Sequence, residues 1–166
     1  GKEKGGCFMS EVELYGDVVL RFVSFPRGTS STDASAATAP APFLPHLAPN
    51  PGCKNPSFTY GLRRIDHAVG NVPDLLEAAE HVKAFTGFHE FAEFTAEDVG
   101  TVESGLNSVV LASDSEDVLL PLNEPTEGRR KSQIQTYLEQ NQGPGLQHLA
   151  LKTDDIFSTI TSMRRA

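Results

Sequence analysis

Hydrophobic and polar positions follow the same pattern in two short stretches of the chain. Residues 65–72 form an apolar strand pattern with one histidine, His67, and lead into a helix start at Pro73. Residues 146–156 repeat this pattern, with His148 lying 81 positions after His67. A repeat of this length is typical of one supersecondary module used twice, with an imidazole on the first strand of each copy. The sequence therefore predicts that both histidines face a shared site.

The first copy predicts a module of the order βαβββ. Its helix should run from Pro73, which suits a first turn, to about Thr86, because Gly87 is placed to end it. Strand patterns follow, separated by turn-forming residues, at 88–94, 107–112 and 118–123.

A second helix should bridge the two modules. Ser132-Gln133-Ile134-Gln135 has the spelling of a capping box and predicts a helix through Leu138 to Gly143. After the strand of His148, residues 155–166 have the amphipathic pattern of a helix, with Ile156, Ile160 and Met163 on one stripe. The second module thus begins but does not continue beyond its first helix.

The N-terminal part of the chain has a different character. Residues 11–15 and 18–23 flank the turn formers Gly16 and Asp17 and predict a hairpin. Residues 26–58 hold seven of the eleven prolines and predict a linker. The predicted organisation is the end of an N-terminal domain, the linker, the first module, and the bridging helix with the start of the second module, at residues 1–25, 26–58, 59–130 and 131–166.

Composition excludes several classes of partner. Acidic residues outnumber basic ones by 22 to 14, and the only basic cluster is short, so no nucleic-acid partner is expected. No apolar run approaches the length of a membrane span, so no membrane partner is expected either. Neither Cys7 nor Cys53 has another cysteine or a histidine at metal-ligand spacing, which favours free thiols in a reduced compartment.

The paired histidines are the candidate chemistry. Neutral imidazole is a good ligand for iron, zinc, copper or nickel, and two imidazoles leave room for a carboxylate and open positions. The alternative is that each histidine is an ordinary core residue, which is the more common role of a lone histidine in an apolar strand. His46, His81 and His89 lack the repeat, so solvated or capping roles are expected for them.

Six blocks of sequence, in this order, resemble plant-type 4-hydroxyphenylpyruvate dioxygenase. They are RIDHAVGNV at 64–72, FTGFHEF at 85–91, ESGLNS at 103–108, LPLNEP at 120–125, KSQIQ at 131–135 and GLQHLA at 145–150. The resemblance covers residues 7–25 and 59–166, and the proline-rich linker lies outside it.

The resemblance implies a fold, a cofactor and a reaction. The fold is α+β, with paired βαβββ modules of the vicinal-oxygen-chelate or glyoxalase-like type, here with the second module truncated. The cofactor is iron(II), and the reaction converts 4-hydroxyphenylpyruvate, an aromatic 2-oxo acid, and O2 to homogentisate and CO2. This step belongs to tyrosine and phenylalanine catabolism and, in plants, feeds plastoquinone and tocopherol synthesis. A homo-oligomeric parent enzyme in the cytoplasm or a plastid is implied as well.

The resemblance also assigns roles to individual residues. His67 and His148 match the two histidine ligands of iron(II). Four polar positions match the lining of the substrate pocket, namely Ser108, Asn123, Gln133 and Gln147. Val69 and Pro121 match apolar walls beside them. Each polar residue also has an ordinary structural explanation, as a strand-edge residue, a capping partner or a cross-strand pair.

The family's third ligand is a glutamate late in the second module, beyond the part present here. Asp66 precedes His67 and is expected on the opposite face of the strand, and Glu124 is expected in a turn, so neither is a convincing substitute. We therefore expect the chain to be a piece of a longer protein that alone binds iron weakly and turns over little substrate.

Three functions are consistent with these patterns. The first is a fragment of the dioxygenase. The second is another enzyme of the same fold, such as a hydroxymandelate synthase or an isomerase. The third is a binding module that has lost its metal and its catalysis.

Overall fold

The computed structural model describes residues 7–24, 59–94, 105–128 and 130–165. The chain separates into two units, one of residues 1–12 and 20–57 and the other of residues 13–19 and 58–166. The predicted linker, together with His46 and Cys53, lies outside the described residues, and the predicted domain boundaries stay predictions. In the described part of the chain, no helix is both long and apolar enough to cross a membrane.

The first two strands form the predicted hairpin. Strand β1 spans Phe8–Tyr15 and β2 spans Val18–Ser24, and the two form a sheet of their own. Gly16 has a φ of 57°, in the left-handed region that glycine adopts at little cost. The turn chemistry of the sequence therefore predicted this hairpin correctly.

The remaining elements follow the predicted order. They are β3 (Leu62–Asn71), α1 (Leu75–Thr86), β4 (His89–Phe94), β5 (Leu106–Ala112), β6 (Leu119–Pro125), α2 (Gln133–Gln140), β7 (Gly145–Thr153) and α3 (Ile156–Arg165). The five-stranded sheet has the order β4-β5-β6-β3-β7. Strand β3 runs parallel to β6 and antiparallel to β7, and β5 pairs antiparallel with both of its neighbours. The βαβββ module and the α+β class are confirmed.

The sheet separates a packed core from a pocket. Helix α1 packs on β5 and β6, where Val109, Leu111 and Leu122 are at most 5% exposed. Because successive side chains of a strand point to opposite faces, the strand neighbours of these three residues point away from that core. These neighbours are Ser108 and Val110 in β5 and Pro121 and Asn123 in β6.

Both ends of α1 are capped by side chain or backbone. The Asp74 carboxylate accepts a hydrogen bond from the backbone N–H of Glu77 at 2.9 Å, and Gly87 ends the helix with a φ of 70°. The end at Gly87 was predicted correctly, whereas the helix begins two residues after the predicted Pro73 because Asp74 is the N-cap.

Glu124 accepts a hydrogen bond from the backbone N–H of Leu75 at 2.8 Å. The expectation that Glu124 is a turn residue is wrong, since it lies within β6.

The Asp74 cap gives a direct stability prediction. Asp74→Ala leaves a helical N–H without its partner, so we expect the free energy of unfolding to fall by about 1 kcal/mol. Urea unfolding followed by circular dichroism measures this change. Asp114→Ala, in an exposed turn, is the matched control and should leave the urea midpoint unchanged. Equal midpoints for the two variants would contradict a stabilising cap.

Gly70 of β3 is required by a close aromatic contact. A Cβ at this position would overlap Cζ of Tyr15, so any side chain would displace the tyrosine ring. Burial of that ring raises the pKa of Tyr15 to about 12. The glycine within the histidine strand therefore serves packing against Tyr15.

Candidate active site

The two histidines of the repeat lie on neighbouring strands. In the antiparallel pairing of β3 with β7, Val69 is opposite His148 and His67 is opposite Ala150. The centroids of the two imidazole rings are 5.8 Å apart, and the ring planes meet at 71°. The structure thus brings together the two imidazoles that the sequence placed in corresponding positions.

A one-residue bulge precedes each histidine. Between the pairs Ile65–Leu151 and His67–Ala150, β3 contains the extra residue Asp66. Between the pairs Val69–His148 and Gly70–Leu146, the extra residue is on β7 and is Gln147. A bulge interrupts the strict alternation of faces and turns a side chain in a new direction. The residue before each histidine is therefore free to approach the ring that follows it.

Both bulge residues contact the following imidazole. Oδ2 of Asp66 lies 2.9 Å from Nδ1 of His67, and Oε1 of Gln147 lies 2.8 Å from Nδ1 of His148. A carboxylate accepts hydrogen bonds and cannot donate them, so Nδ1 of His67 is the donor. The expectation that Asp66 points to the opposite face is wrong, because the bulge brings its carboxylate to the ring.

These contacts define the chemical state of the site. A proton on Nδ1 in each of these bonds leaves the lone pair of Nε2 available to a metal whenever the ring is neutral. The hydrogen bond from His67 holds the pKa of Asp66 below its usual range, and the charge of Arg64 acts in the same direction. Asp66 is therefore an anion at neutral pH.

The two imidazoles open onto a pocket of about 320 Å³. Six of the residues that line it were expected at the site from the sequence, namely His67, His148, Ser108, Asn123, Val69 and Pro121. Four others were not expected, namely Phe91, Ala92, Val110 and Leu119. Phe91 and Val110 supply apolar surface, and the alternation that placed Ser108 in the pocket could have indicated Val110 as well. The pocket combines apolar walls with a few polar groups, as small-molecule sites do.

Asn71 connects the polar residues beneath the pocket. It is fully buried, and its Oδ1 accepts hydrogen bonds from Nε2 of Gln147 at 2.9 Å and from Nδ2 of Asn123 at 3.3 Å. Sequence reasoning missed it, although its position four residues after His67 on an alternating strand placed it on the same face. The network fixes both amides, so the carbonyl oxygen of Gln147 is directed to His148 and that of Asn123 remains an acceptor.

The remaining candidates lie elsewhere. Gln133 is exposed at the first position of α2 and does not line the pocket, so its predicted role in substrate binding stays a prediction. Nε2 of His81 lies 2.7 Å from the backbone oxygen of Glu13, and His89 is exposed on β4. Both are exposed, and neither lines the pocket.

The donor set fits two ligands of a transition metal. Two neighbouring imidazoles that line one pocket suit iron(II), as they suit zinc, copper or nickel, and they leave positions for other ligands. Among the described residues, no group of three or more histidine, cysteine, aspartate or glutamate side chains is arranged to hold a metal. The weak iron binding expected of the chain alone stays a prediction.

Two curated plant relatives share most of this sequence. The chain is 60% identical over 161 residues to 4-hydroxyphenylpyruvate dioxygenase of Daucus carota and 59% identical over 161 residues to that of Hordeum vulgare. Each alignment covers 96% of this chain and 34% of the relative. The chain therefore spans about a third of the length of these relatives, and the resemblance found from six short blocks is confirmed.

The fold and a family profile agree with these relatives. A mutant of 4-hydroxymandelate synthase from Streptomyces coelicolor superposes with a TM-score of 0.61 at 21% identity, over 94% of this chain and 42% of that protein, which shows a shared fold. Residues 64–166 match the profile of the Glyoxalase/Bleomycin resistance protein/Dioxygenase superfamily. Because this match includes both histidine strands and most of the chain, the protein belongs to the Glyoxalase/Bleomycin resistance protein/Dioxygenase superfamily.

Proposed function

We propose that this chain is the part of a 4-hydroxyphenylpyruvate dioxygenase that supplies two histidine ligands to iron(II). The whole protein would convert 4-hydroxyphenylpyruvate and O2 to homogentisate and CO2. The observation that carries the proposal is the pair of imidazoles, 5.8 Å apart, at the mouth of a pocket in a chain 60% identical to such an enzyme. Iron(II) bound there would supply the redox chemistry that activates O2 for oxidative decarboxylation of the 2-oxo acid.

Within this proposal, the side chains of the pocket bind and orient the substrate. His67 and His148 would hold the metal through Nε2. Nδ2 of Asn123 donates to Asn71, so the side-chain oxygen Oδ1 of Asn123 can accept a hydrogen bond from a phenol hydroxyl. The Ser108 hydroxyl can donate or accept. These two polar groups fix the orientation of the substrate without a general acid or base.

The apolar walls would enclose the aromatic ring. Phe91, Val69 and Pro121 line the same pocket as the two histidines, and Val69 is only 3% exposed. Such surfaces favour an aromatic ring over a small polar substrate, because burying apolar area is favourable.

The same resemblance supports three further proposals about the whole protein. Gln133 and Gln147 would lie near the substrate, the enzyme would be a homo-oligomer, and its location would be the cytoplasm or a plastid. The hydrogen bonds of Gln147 to His148 and Asn71 support a place for this amide at the edge of the site.

Replacement of the matching third of the carrot relative by this chain tests the proposal. We expect the resulting full-length protein to produce homogentisate from 4-hydroxyphenylpyruvate with iron(II) and ascorbate, because the chain would supply the same two ligands and pocket walls. Chromatography of the products, with oxygen uptake measured in parallel, separates homogentisate from 4-hydroxymandelate.

The outcomes separate the remaining functions. Formation of 4-hydroxymandelate would favour a synthase of the related type and overturn the assignment. A well-folded hybrid that neither binds iron(II) nor consumes oxygen would favour a binding module. Carrot protein without replacement gives the reference rate in the same assay.

A further inference from the structure

The bulge residue Asp66 has contacts that packing alone does not require. It lies between Arg64 and His67, with Oδ1 at 3.2 Å from Nη2 of Arg64 and Oδ2 at 2.9 Å from Nδ1 of His67. The Arg64 guanidinium is itself held, since its Nη1 donates to the backbone oxygen of Ile65 at 3.0 Å. The carboxylate is thus fixed at both of its oxygen atoms.

The other histidine has a different partner. Gln147 presents a neutral amide oxygen to Nδ1 of His148, and its own position is fixed by the bond to buried Asn71. Corresponding positions of the repeat therefore use the same device, a one-residue bulge, with different chemistry. One imidazole faces an anion and the other faces a dipole.

We propose that Asp66 is a positioning residue for His67, which holds the ring with its proton on Nδ1 and so presents Nε2 to the metal. This inference rests on the proposed function for the identity of the metal but not for the state of the ring. Metal-bound histidines commonly donate their second N–H to a carboxylate or carbonyl, which fixes the tautomer and orientation and raises the basicity of the ligand nitrogen. Because the partner of His67 is an anion and the partner of His148 is a neutral amide, Nε2 of His67 is the stronger electron-pair donor to the metal.

Asp66 suits substitution, because it is at the surface rather than in the core. Its side chain is 29% exposed, and no backbone group depends on it in the contacts described above. Asp66→Ala removes both the acceptor and the charge. Asp66→Asn keeps an oxygen that can accept from Nδ1 and removes only the charge, so it separates orientation from electrostatics.

The first readout is the tautomer of His67 in the metal-free chain. Long-range ¹H–¹⁵N spectra of the imidazoles should show His67 protonated at Nδ1 in the unmodified chain and in Asp66→Asn. In Asp66→Ala we expect a mixture with the Nε2-protonated form that solvated imidazole favours. Retention of the pure Nδ1 form in Asp66→Ala would overturn the proposal.

The second readout is binding of iron(II) itself, titrated without oxygen and followed by broadening of the two imidazole signals. We expect Asp66→Ala to weaken binding by about 10- to 100-fold and Asp66→Asn to recover part of that loss. Asp154→Ala is the matched control, because Asp154 pairs with Arg63 in the same way but contacts no histidine. Its tautomers and affinity should equal those of the unmodified chain.

The two proposals can fail separately. If the hybrid with the carrot relative retains no iron(II) after gel filtration, the iron assignment fails, while the tautomer spectra still decide the role of Asp66. If iron(II) binds equally well to all variants and His67 keeps one tautomer throughout, the role of Asp66 is overturned and the iron assignment stands. Circular dichroism of each variant confirms the fold, and Asp66→Leu, which also lacks an acceptor oxygen, provides the tautomer test if Asp66→Ala does not fold.

Discussion

Replacing His67 or His148 with alanine in the hybrid with the carrot relative is expected to lower homogentisate formation more than about 100-fold. Loss of an outer hydrogen-bond partner of a metal ligand alone costs about 10- to 100-fold, so loss of the ligand itself should exceed this. The two rings lie 5.8 Å apart on adjacent strands, and no other described histidine lines the pocket. Neither ring can therefore be replaced by a neighbour.

The measurement is the initial rate of homogentisate formation at saturating iron(II), together with the iron content after gel filtration. His89→Ala is the matched control, because His89 is exposed on β4 outside the pocket, and this variant should keep the full rate. A His148→Ala hybrid with the rate of the control would contradict the assignment of this residue as a ligand.

Replacing Leu122 with alanine is expected to cause a large loss of stability. Leu122 is 1% exposed at the centre of β6, next to Val109 of β5 and Gly70 of β3 in the register of the sheet. Removing a buried leucine side chain in such a position lowers the free energy of unfolding by about 2–5 kcal/mol, because a cavity adds to the lost burial. Urea unfolding of the chain, followed by circular dichroism, measures the loss.

Leu76→Ala makes the same chemical change at a position of α1 that is 73% exposed. We expect its urea midpoint to remain within error of the unmodified chain, since alanine is also the best helix former. A loss for Leu122→Ala no larger than that for Leu76→Ala would show that this face of β6 is not the core.

Local sequence patterns predicted most of the elements, because the signals that create them are local. Gly87 in the left-handed region and Ser132 as a cap each act within one turn of their helix, and both have the predicted role. The capping box is only half formed, since Gln135 donates to Glu139 instead. Glu124 was misplaced because two long-range contacts, with Leu75 and Asn107, keep it in a strand that alternation alone would have ended.

The sequence predicted most residues of the candidate site but not the hydrogen bonds between them. The repeat indicated His67 and His148, and the resemblance named six further positions, of which four line the pocket. The contacts of Asp66 and Gln147 depend on bulges, and a bulge arises from how two strands pair rather than from either strand alone. Asn71 was missed because a buried amide is recognised by its partners, which come from β6 and β7.

The pairing of β3 with β7 has a consequence for how the chain tolerates insertions and deletions. His67 and His148 are 81 positions apart in sequence, but hydrogen-bonded neighbouring strands set the distance between their rings. Turns between the two strands, such as residues 113–118, can therefore change in length without moving the rings apart. Deletion of Asp66 or Gln147 would instead remove a bulge together with the side chain that contacts the following imidazole. Length variation should thus be common in the turns and absent at these two positions.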